Sequence, residues 1–157
     1  DRRDLNRSFP GSARGSLAAR IAHLFMTEVM ARADVGIDVH TGSAHRTNLP
    51  QIRANLDDRK TLKLAKAFGA PIAIHSTGRD GSLRQAATDS DSTVLLYEAG
   101  EADRFDESSI AQGTAGVLRV LKSQGIIDRA PRRPPIGSST RSTQTPTQPP
   151  AMPMATA

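Results

Sequence analysis

The sequence has no cysteine and no tryptophan, and it has only one tyrosine and four phenylalanines among 157 residues. Without cysteine there is no disulfide framework and no thiolate zinc cluster, so a metal ion would be held by histidine, aspartate or glutamate. So few aromatic rings disfavour a module that stacks nucleic-acid bases or sugars. No apolar stretch approaches the ~18 residues that a membrane span needs. We therefore expect a soluble, cytoplasmic protein without a membrane partner.

The positive charge is concentrated near the C-terminus. The formal net charge is +5, from 21 Lys and Arg against 16 Asp and Glu. Four arginines lie in 129–157, which has no acidic residue, so 1–128 holds 17 basic against 16 acidic residues. A nucleic-acid surface needs basic side chains clustered in the folded part. We expect no nucleic-acid partner; the alternative, binding through the basic tail, would weaken steeply with salt.

Composition divides the chain into two parts. Residues 129–157 carry seven of the ten prolines and eight Ser or Thr, which predicts a disordered Pro/Ser/Thr-rich tail or linker. Residues 1–128 are long enough for one domain. The chain begins at Asp1, directly in a dense polar motif without a preceding strand. We therefore expect a partial chain whose domain is incomplete at the N-terminus.

Apolar spacing switches between helical and extended patterns before the tail. Ser16 is a suitable N-cap for a first helix, whose apolar face we predict to be Leu17, Ile21, Leu24, Phe25 and Val29. The stretch 42–50 is predicted to be a loop, and the strand before it to be buried. This alternation predicts an α/β fold with a mostly parallel or mixed sheet flanked by helices. The predicted helices span 17–33, 57–68, 81–88 and 107–125, and the predicted strands span 35–40, 71–75 and 94–98.

Two predicted strands end in a polar residue, since His40 follows Val39 and Glu98 follows Tyr97. In open α/β sheets ligands bind beyond the carboxyl ends of the strands, so both side chains are candidates for chemistry. His40 is either a metal ligand that Asp38 helps to orient, or a cap that hydrogen-bonds the end of its strand. Glu98 is either a general base or the partner of a neighbouring arginine in a salt bridge.

The opening segment is a third candidate, because Asn6 beside Arg7 offers an amide and a bidentate guanidinium. Such a pair suits a clamp for a substrate carboxylate, and the alternative is an arginine-rich surface loop. The other histidines are weaker candidates. We expect His23 to be solvated and His45 to lie in a loop, whereas His75 ends a predicted strand with no accompanying carboxylate.

Five motifs occur in order along residues 1–127. They are Asp4-Leu5-Asn6-Arg7 with Phe9-Pro10-Gly11, Ile37-Asp38-Val39-His40-Thr41-Gly42, Arg46-Thr47-Asn48-Leu49-Pro50-Gln51-Ile52-Arg53, Gly81-Ser82-Leu83-Arg84 and Tyr97-Glu98-Ala99-Gly100-Glu101. Together they resemble the succinylglutamate desuccinylase/aspartoacylase family of the zinc carboxypeptidase superfamily. The resemblance implies a zinc-carboxypeptidase-like fold, with 1–128 forming part of a zinc-dependent deacylase catalytic domain.

The resemblance also implies Zn²⁺ as cofactor and a role for each matching residue. It makes His40 the third zinc ligand and Glu98 the general base that activates water. It makes Asn6 and Arg7 the binding residues for the substrate carboxylate, and Arg84 resembles a further substrate-binding arginine. The implied reaction is hydrolysis of the amide bond of an N-acyl amino acid or a similar small carboxylate-bearing substrate.

One departure from the family pattern concerns the metal. The first two zinc ligands of the family come from a His-x-x-Glu motif upstream of the Asp-Leu-Asn-Arg segment, and this sequence has no such motif. The tail also stands where relatives in the family usually carry a β-rich C-terminal domain. We therefore expect weakly held zinc and little hydrolysis from these residues alone. The alternative function is a metal-free carboxylate-binding module or an inactive fragment of such an enzyme.

Overall fold

The structure, a computed structural model, describes residues 4–133. Residues 1–3 and 134–157 lie outside the described residues, and with them most of the predicted tail. Residues 129–133 have no regular structure, and Arg133 lies beside Gly69.

Helices and strands alternate along the described residues. The helices are α1 (Leu17–Glu28), α2 (Arg59–Phe68), α3 (Leu83–Asp89) and α4 (Glu107–Ser123), and the strands are β1 (Val35–Gly42), β2 (Asn48–Ala54), β3 (Ile72–His75) and β4 (Thr93–Glu101). Short 3₁₀ turns lie at Leu5–Arg7 and Met30–Arg32. Within residues 4–133, no helix combines the length and the apolar content that crossing a membrane would require.

The four strands form one mixed sheet in the order β1-β4-β2-β3. The pairs β1–β4 and β2–β3 are parallel, whereas β2 and β4 are antiparallel. The predicted fold class is therefore confirmed. The prediction of a loop over 42–50 is wrong at its C-terminal end, because β2 begins at Asn48 and passes through Pro50.

The main hydrophobic core lies between one face of the sheet and the helices α2 and α4. Tyr97 packs on Phe68 with ring centroids 5.0 Å apart, and its hydroxyl donates a 2.8 Å hydrogen bond to the carbonyl oxygen of Ser109. On the other face Val94 packs against Ala87 of α3. The sheet is thus covered by helices on both faces. The buried members of the main core are Ile52, Ala54, Leu64, Ala65, Phe68, Leu95, Tyr97, Ala99 and Val120.

Three burial predictions are wrong. The residues Leu17, Ile21 and Leu24 of α1 are exposed, at 71%, 45% and 60%, because α1 turns its Ala22 side towards the protein. For the same reason His23 is half-buried instead of solvated. The helix is also shorter than the predicted 17–33, because it ends at Glu28 and the 3₁₀ turn Met30–Arg32 follows. Likewise β1 is half-buried, because it is the edge strand of the sheet.

Helix α2 shows how local sequence sets the ends of an element. Asp58 is its N-cap, and the carboxylate accepts a 2.7 Å hydrogen bond from the backbone N–H of Thr61. At the other end Gly69 adopts φ +72°, which a residue with a side chain rarely adopts. Arg119 of α4 donates hydrogen bonds to the carbonyl oxygen of Phe68. Capping therefore joins α2 to α4 as well as ending the helix.

We predict that Gly116→Ala destabilises the protein. A Cβ at Gly116 would overlap the ring of Phe68, which is fully buried and has no room to move. Ala normally stabilises a helix by about 1 kcal/mol relative to Gly, but overpacking a core costs about 1–3 kcal/mol, so the free energy of unfolding should fall. Urea denaturation measures the change. Thr114→Ala on the exposed side of α4 is the control, and a higher urea midpoint for Gly116→Ala would contradict the prediction.

We also predict that the single tyrosine ionises only at very high pH. Burial raises the pKa of Tyr97 to about 12, and the charge of Asp106 adds to the increase. An unfolded tyrosine ionises near pH 10. The stabilisation that comes from burying the neutral hydroxyl is therefore complete below about pH 10 and is lost as the pH rises towards 12. Tyrosinate absorbance during an alkaline titration measures the midpoint, with the urea-denatured chain as reference. Equal midpoints for the two states would show that Tyr97 is not buried.

Candidate functional site

The residues of the candidate site lie on one face of the sheet, opposite the main core. His40 of β1 stands directly beside Glu98 of β4 in the parallel register. Side chains two residues apart on a strand share a face, so Asp38 lies on the His40 side and Arg53 lies on the same face of β2. The structure therefore brings together the two residues that the sequence predicts at strand ends, although β1 continues to Gly42 and β4 to Glu101, and it adds an arginine.

His40 is paired with Asp38. Its Nε2 lies 3.0 Å from Oδ2 of Asp38, with 36% and 22% of the two side chains exposed. This hydrogen bond raises the pKa of His40, burial opposes the increase, and the charges of Asp38, Glu98 and Asp4 add to it. Because the pair occupies Nε2, Nδ1 is the ring nitrogen left for another partner. A histidine that bonds a carboxylate through one nitrogen and a metal through the other is a common metal-site arrangement.

Glu98 forms an ion pair with Arg53. Nε of Arg53 lies 3.0 Å from Oε2 of Glu98, and the glutamate side chain is 18% exposed against 41% for the arginine. The Nε atom is buried and its N–H is not aligned on that oxygen, so the contact is an ion pair and not a hydrogen bond. Glu98 therefore does form the salt bridge with a neighbouring arginine that is one of its two predicted roles. The contact uses Oε2 and leaves Oε1 outside the pair.

Sequence reasoning missed Arg53 as a member of the site. It occurs in the third motif, but nothing in its immediate sequence shows that it meets a residue of β4. The alternation of Gln51 and Arg53 with the fully buried Ile52 and Ala54 is the signal that could have identified β2 and its polar face.

The opening segment is tied to the start of α3. Asp4 caps the 3₁₀ turn, and the side-chain oxygen of Asn6 accepts a 2.9 Å hydrogen bond from the backbone N–H of Leu83. Arg7 is exposed, and its Nη1 donates to the carbonyl oxygen of Asn6. The backbone of Arg7 passes so close to Gly81 that a Cβ there would lie 2.7 Å from the Arg7 carbonyl oxygen. The side-chain oxygen of Asn6 is therefore engaged in a structural hydrogen bond, and its amide nitrogen is available for other contacts.

Arg84 lies on α3 above the same face. Its Nη2 donates to Oγ of Ser76 at 3.0 Å and to the carbonyl oxygen of Thr77 at 2.8 Å. Its Nη1 is buried and has no hydrogen-bond partner among residues 4–133. Burial lowers the pKa of Arg84, and the neighbouring charge of Arg53 lowers it further. A guanidinium with an unused, buried donor suits an anionic ligand.

Two cavities flank this region. One of about 270 Å³ lies between β1 and α4, with His40 and the apolar Val39 and Ile110 in its lining. The other, of about 320 Å³, is lined by polar residues that include Arg84 and Lys60. Arg84 lines the second cavity, whereas Glu98 and His40 do not.

The remaining histidines do not join His40. His75 ends β3, and β2 and β4 separate that strand from β1. Its Nδ1 accepts a hydrogen bond from the backbone N–H of Leu56 and lies 3.8 Å from Asp57, so a carboxylate does accompany it, contrary to expectation. His45 is exposed in the loop after β1, as predicted.

His40 is the candidate metal ligand among the described residues. His40 with Asp38 has the donor chemistry of a zinc ligand and its orienting carboxylate. Across residues 4–133, no three histidine or carboxylate side chains converge closely enough to hold a metal among themselves. The described residues therefore offer one oriented ligand.

Comparisons with known proteins agree on one family. Residues 1–124 match the family described as the succinylglutamate desuccinylase/aspartoacylase catalytic domain. The chain is 32% identical over 132 residues to an N-alpha-acetyl-L-2,4-diaminobutyric acid deacetylase of Halomonas elongata. The aligned region covers 80% of this chain and 39% of the deacetylase.

Solved structures show the same similarity. A succinylglutamate desuccinylase/aspartoacylase from Rhodobacter sphaeroides superposes with a TM-score of 0.76 at 29% identity, covering 83% of this chain and 40% of that one. The product-bound ectoine utilisation protein EutE (DoeB) from Ruegeria pomeroyi gives 0.74 at 25% identity, covering 82% of this chain and 41% of that one. The chain thus spans about two fifths of the length of these relatives.

Proposed function

The chain belongs to the succinylglutamate desuccinylase/aspartoacylase catalytic-domain family, and on that basis we propose that it is part of a zinc-dependent deacylase. The proposed reaction is hydrolysis of the amide bond of an N-acyl amino acid or a similar small substrate with a carboxylate. The observation that carries the proposal is the register of β1 and β4, which stands His40 beside Glu98 on one face of the sheet.

His40 would hold the metal through Nδ1, while Asp38 fixes the orientation of the ring from Nε2. By resemblance to the family, the two further ligands belong to a His-x-x-Glu motif upstream of Asp4. When bound, zinc supplies a Lewis acid that polarises the scissile carbonyl and makes water more acidic.

Glu98 is the proposed general base. Its carboxylate lies beside His40, and its Oε1 is outside the ion pair with Arg53. In the proposed reaction Oε1 takes a proton from the attacking water. The water oxygen bonds to the acyl carbon, the C–N bond breaks, and Glu98 passes the proton to the departing amine nitrogen. The carboxylate is thereby regenerated for the next turnover.

Arg7, Asn6 and Arg84 are the proposed substrate-binding residues. Arg7 is exposed, Asn6 has a free amide nitrogen, and Arg84 has an unused buried donor. A guanidinium binds a carboxylate through two parallel hydrogen bonds, which fixes orientation as well as position. These contacts would align the scissile amide with Glu98.

We predict that Glu98→Gln sharply lowers turnover and that His40→Ala loses zinc binding. In the whole protein, Glu98→Gln should keep zinc and fold but lose about 10²–10⁴-fold in kcat, because an amide cannot accept the proton. His40→Ala should lose zinc itself, as measured by metal analysis after dialysis. Glu107→Gln and His45→Asn are the controls, since both side chains are exposed. Undiminished kcat for Glu98→Gln, or full zinc in His40→Ala, would refute the assignments.

We predict that Arg7→Ala chiefly weakens substrate binding. The change removes a charge-assisted contact to the substrate carboxylate that is worth about 1.5–3 kcal/mol. KM for N-acyl amino acids should therefore rise, with a smaller change in kcat. Steady-state kinetics measures both values, and Arg14→Ala at an exposed site of the same segment is the control. An unchanged KM for a carboxylate substrate would show that Arg7 is not part of the clamp.

A further inference from the structure

We propose that Arg53 is a positioning residue that holds the carboxylate of Glu98 in its working orientation. The inference rests on the proposed function, because it takes Glu98 to be the base. Arg53 would not touch the substrate; it would act through Glu98, by holding Oε2 and leaving Oε1 to accept the proton. No proton moves on or off Arg53 in this scheme.

The geometry of the sheet brings the two side chains together. In the antiparallel register of β2 and β4, Arg53 stands opposite Leu96 and Gln51 stands opposite Glu98. Arg53 and Glu98 are therefore diagonal neighbours on the same face, a separation that a long arginine side chain spans. The 3.0 Å contact between Nε and Oε2 is a consequence of this register.

Charged groups around Arg53 direct it towards Glu98. Arg84 approaches from α3, its Nη2 donates to Ser76 and Thr77 just after β3, and its like charge repels the Arg53 guanidinium. Asp38, the other carboxylate of this face, is engaged with His40. Glu98 is thus the carboxylate left to pair with Arg53 on this face.

Burial makes the contact effective. The carboxylate of Glu98 is mostly buried and the Nε of Arg53 is fully buried, so water screens the pair less than it would on the surface. Without such a partner the Glu98 carboxylate would be free to rotate about its side-chain torsions. Fixing one oxygen by charge fixes the direction of the other, which is what a proton acceptor needs.

The test compares Arg53→Met with Arg53→Lys in the whole protein. Arg53→Met should lower kcat by about 10²-fold with KM within about twofold, because the base is misplaced while substrate contacts remain. Arg53→Lys keeps the charge and should recover part of that loss. Arg104→Met is the matched control. Arg104 is exposed, and its Nε lies 3.3 Å from Oε2 of Glu101, a second glutamate of β4. Circular dichroism and the thermal midpoint check that each variant folds.

A double-mutant cycle separates action through Glu98 from independent action. If Arg53 works only through Glu98, adding Arg53→Met to Glu98→Gln should cause no further loss of kcat. Losses that multiply, a raised KM with unchanged kcat, or an unaffected kcat in Arg53→Met would each overturn the inference. The proposed function would survive those results as long as Glu98→Gln alone is inactive. An active Glu98→Gln enzyme would instead refute the proposed function itself.

Discussion

The central position of β4 is the constraint on which the rest of the structure depends. One face of this strand places Leu95, Tyr97 and Ala99 in the main core, each at most 4% exposed. Slipping the strand by one residue would turn these side chains out of the core and bury Glu98 in their place. Hydrophobic burial on one face therefore fixes the register on both sides of the strand. The polar face, with His40 on one neighbour and Arg53 on the other, follows from that register.

Each charge on the polar face is offset in a different way. Asp38 is bonded to His40, Glu98 is paired with Arg53, and Arg84 donates to a hydroxyl and a carbonyl oxygen. Pairing of this kind offsets the cost of removing ionised groups from water. The donor left over, Nη1 of Arg84, is where the described face retains capacity for an anion.

Much of the fold could be predicted from local sequence, because local sequence sets it. Asp58 and Gly69 bound α2 by capping, and the apolar run of β4 can only be a buried strand. The face of α1 could not be predicted in this way, since Leu17, Ile21 and Leu24 compete with Ala22, Phe25 and Met26, and only tertiary packing decides between them. Strand β2 was missed because Pro50 argues against a strand, although the sheet accepts it.

The candidate site divides along the same line. His40 and Glu98 could be predicted because each follows an apolar run, where a polar side chain stands out in the sequence, although β1 continues to Gly42 and β4 to Glu101. Arg53 could not, because its partner lies on a strand 45 positions further along the chain and the contact is a property of register. A half-buried ion pair is destabilised by the loss of either member, since the remaining charge is left without a partner. Replacing either Arg53 or Glu98 therefore also changes the surroundings of the other residue, because the two form one ion pair.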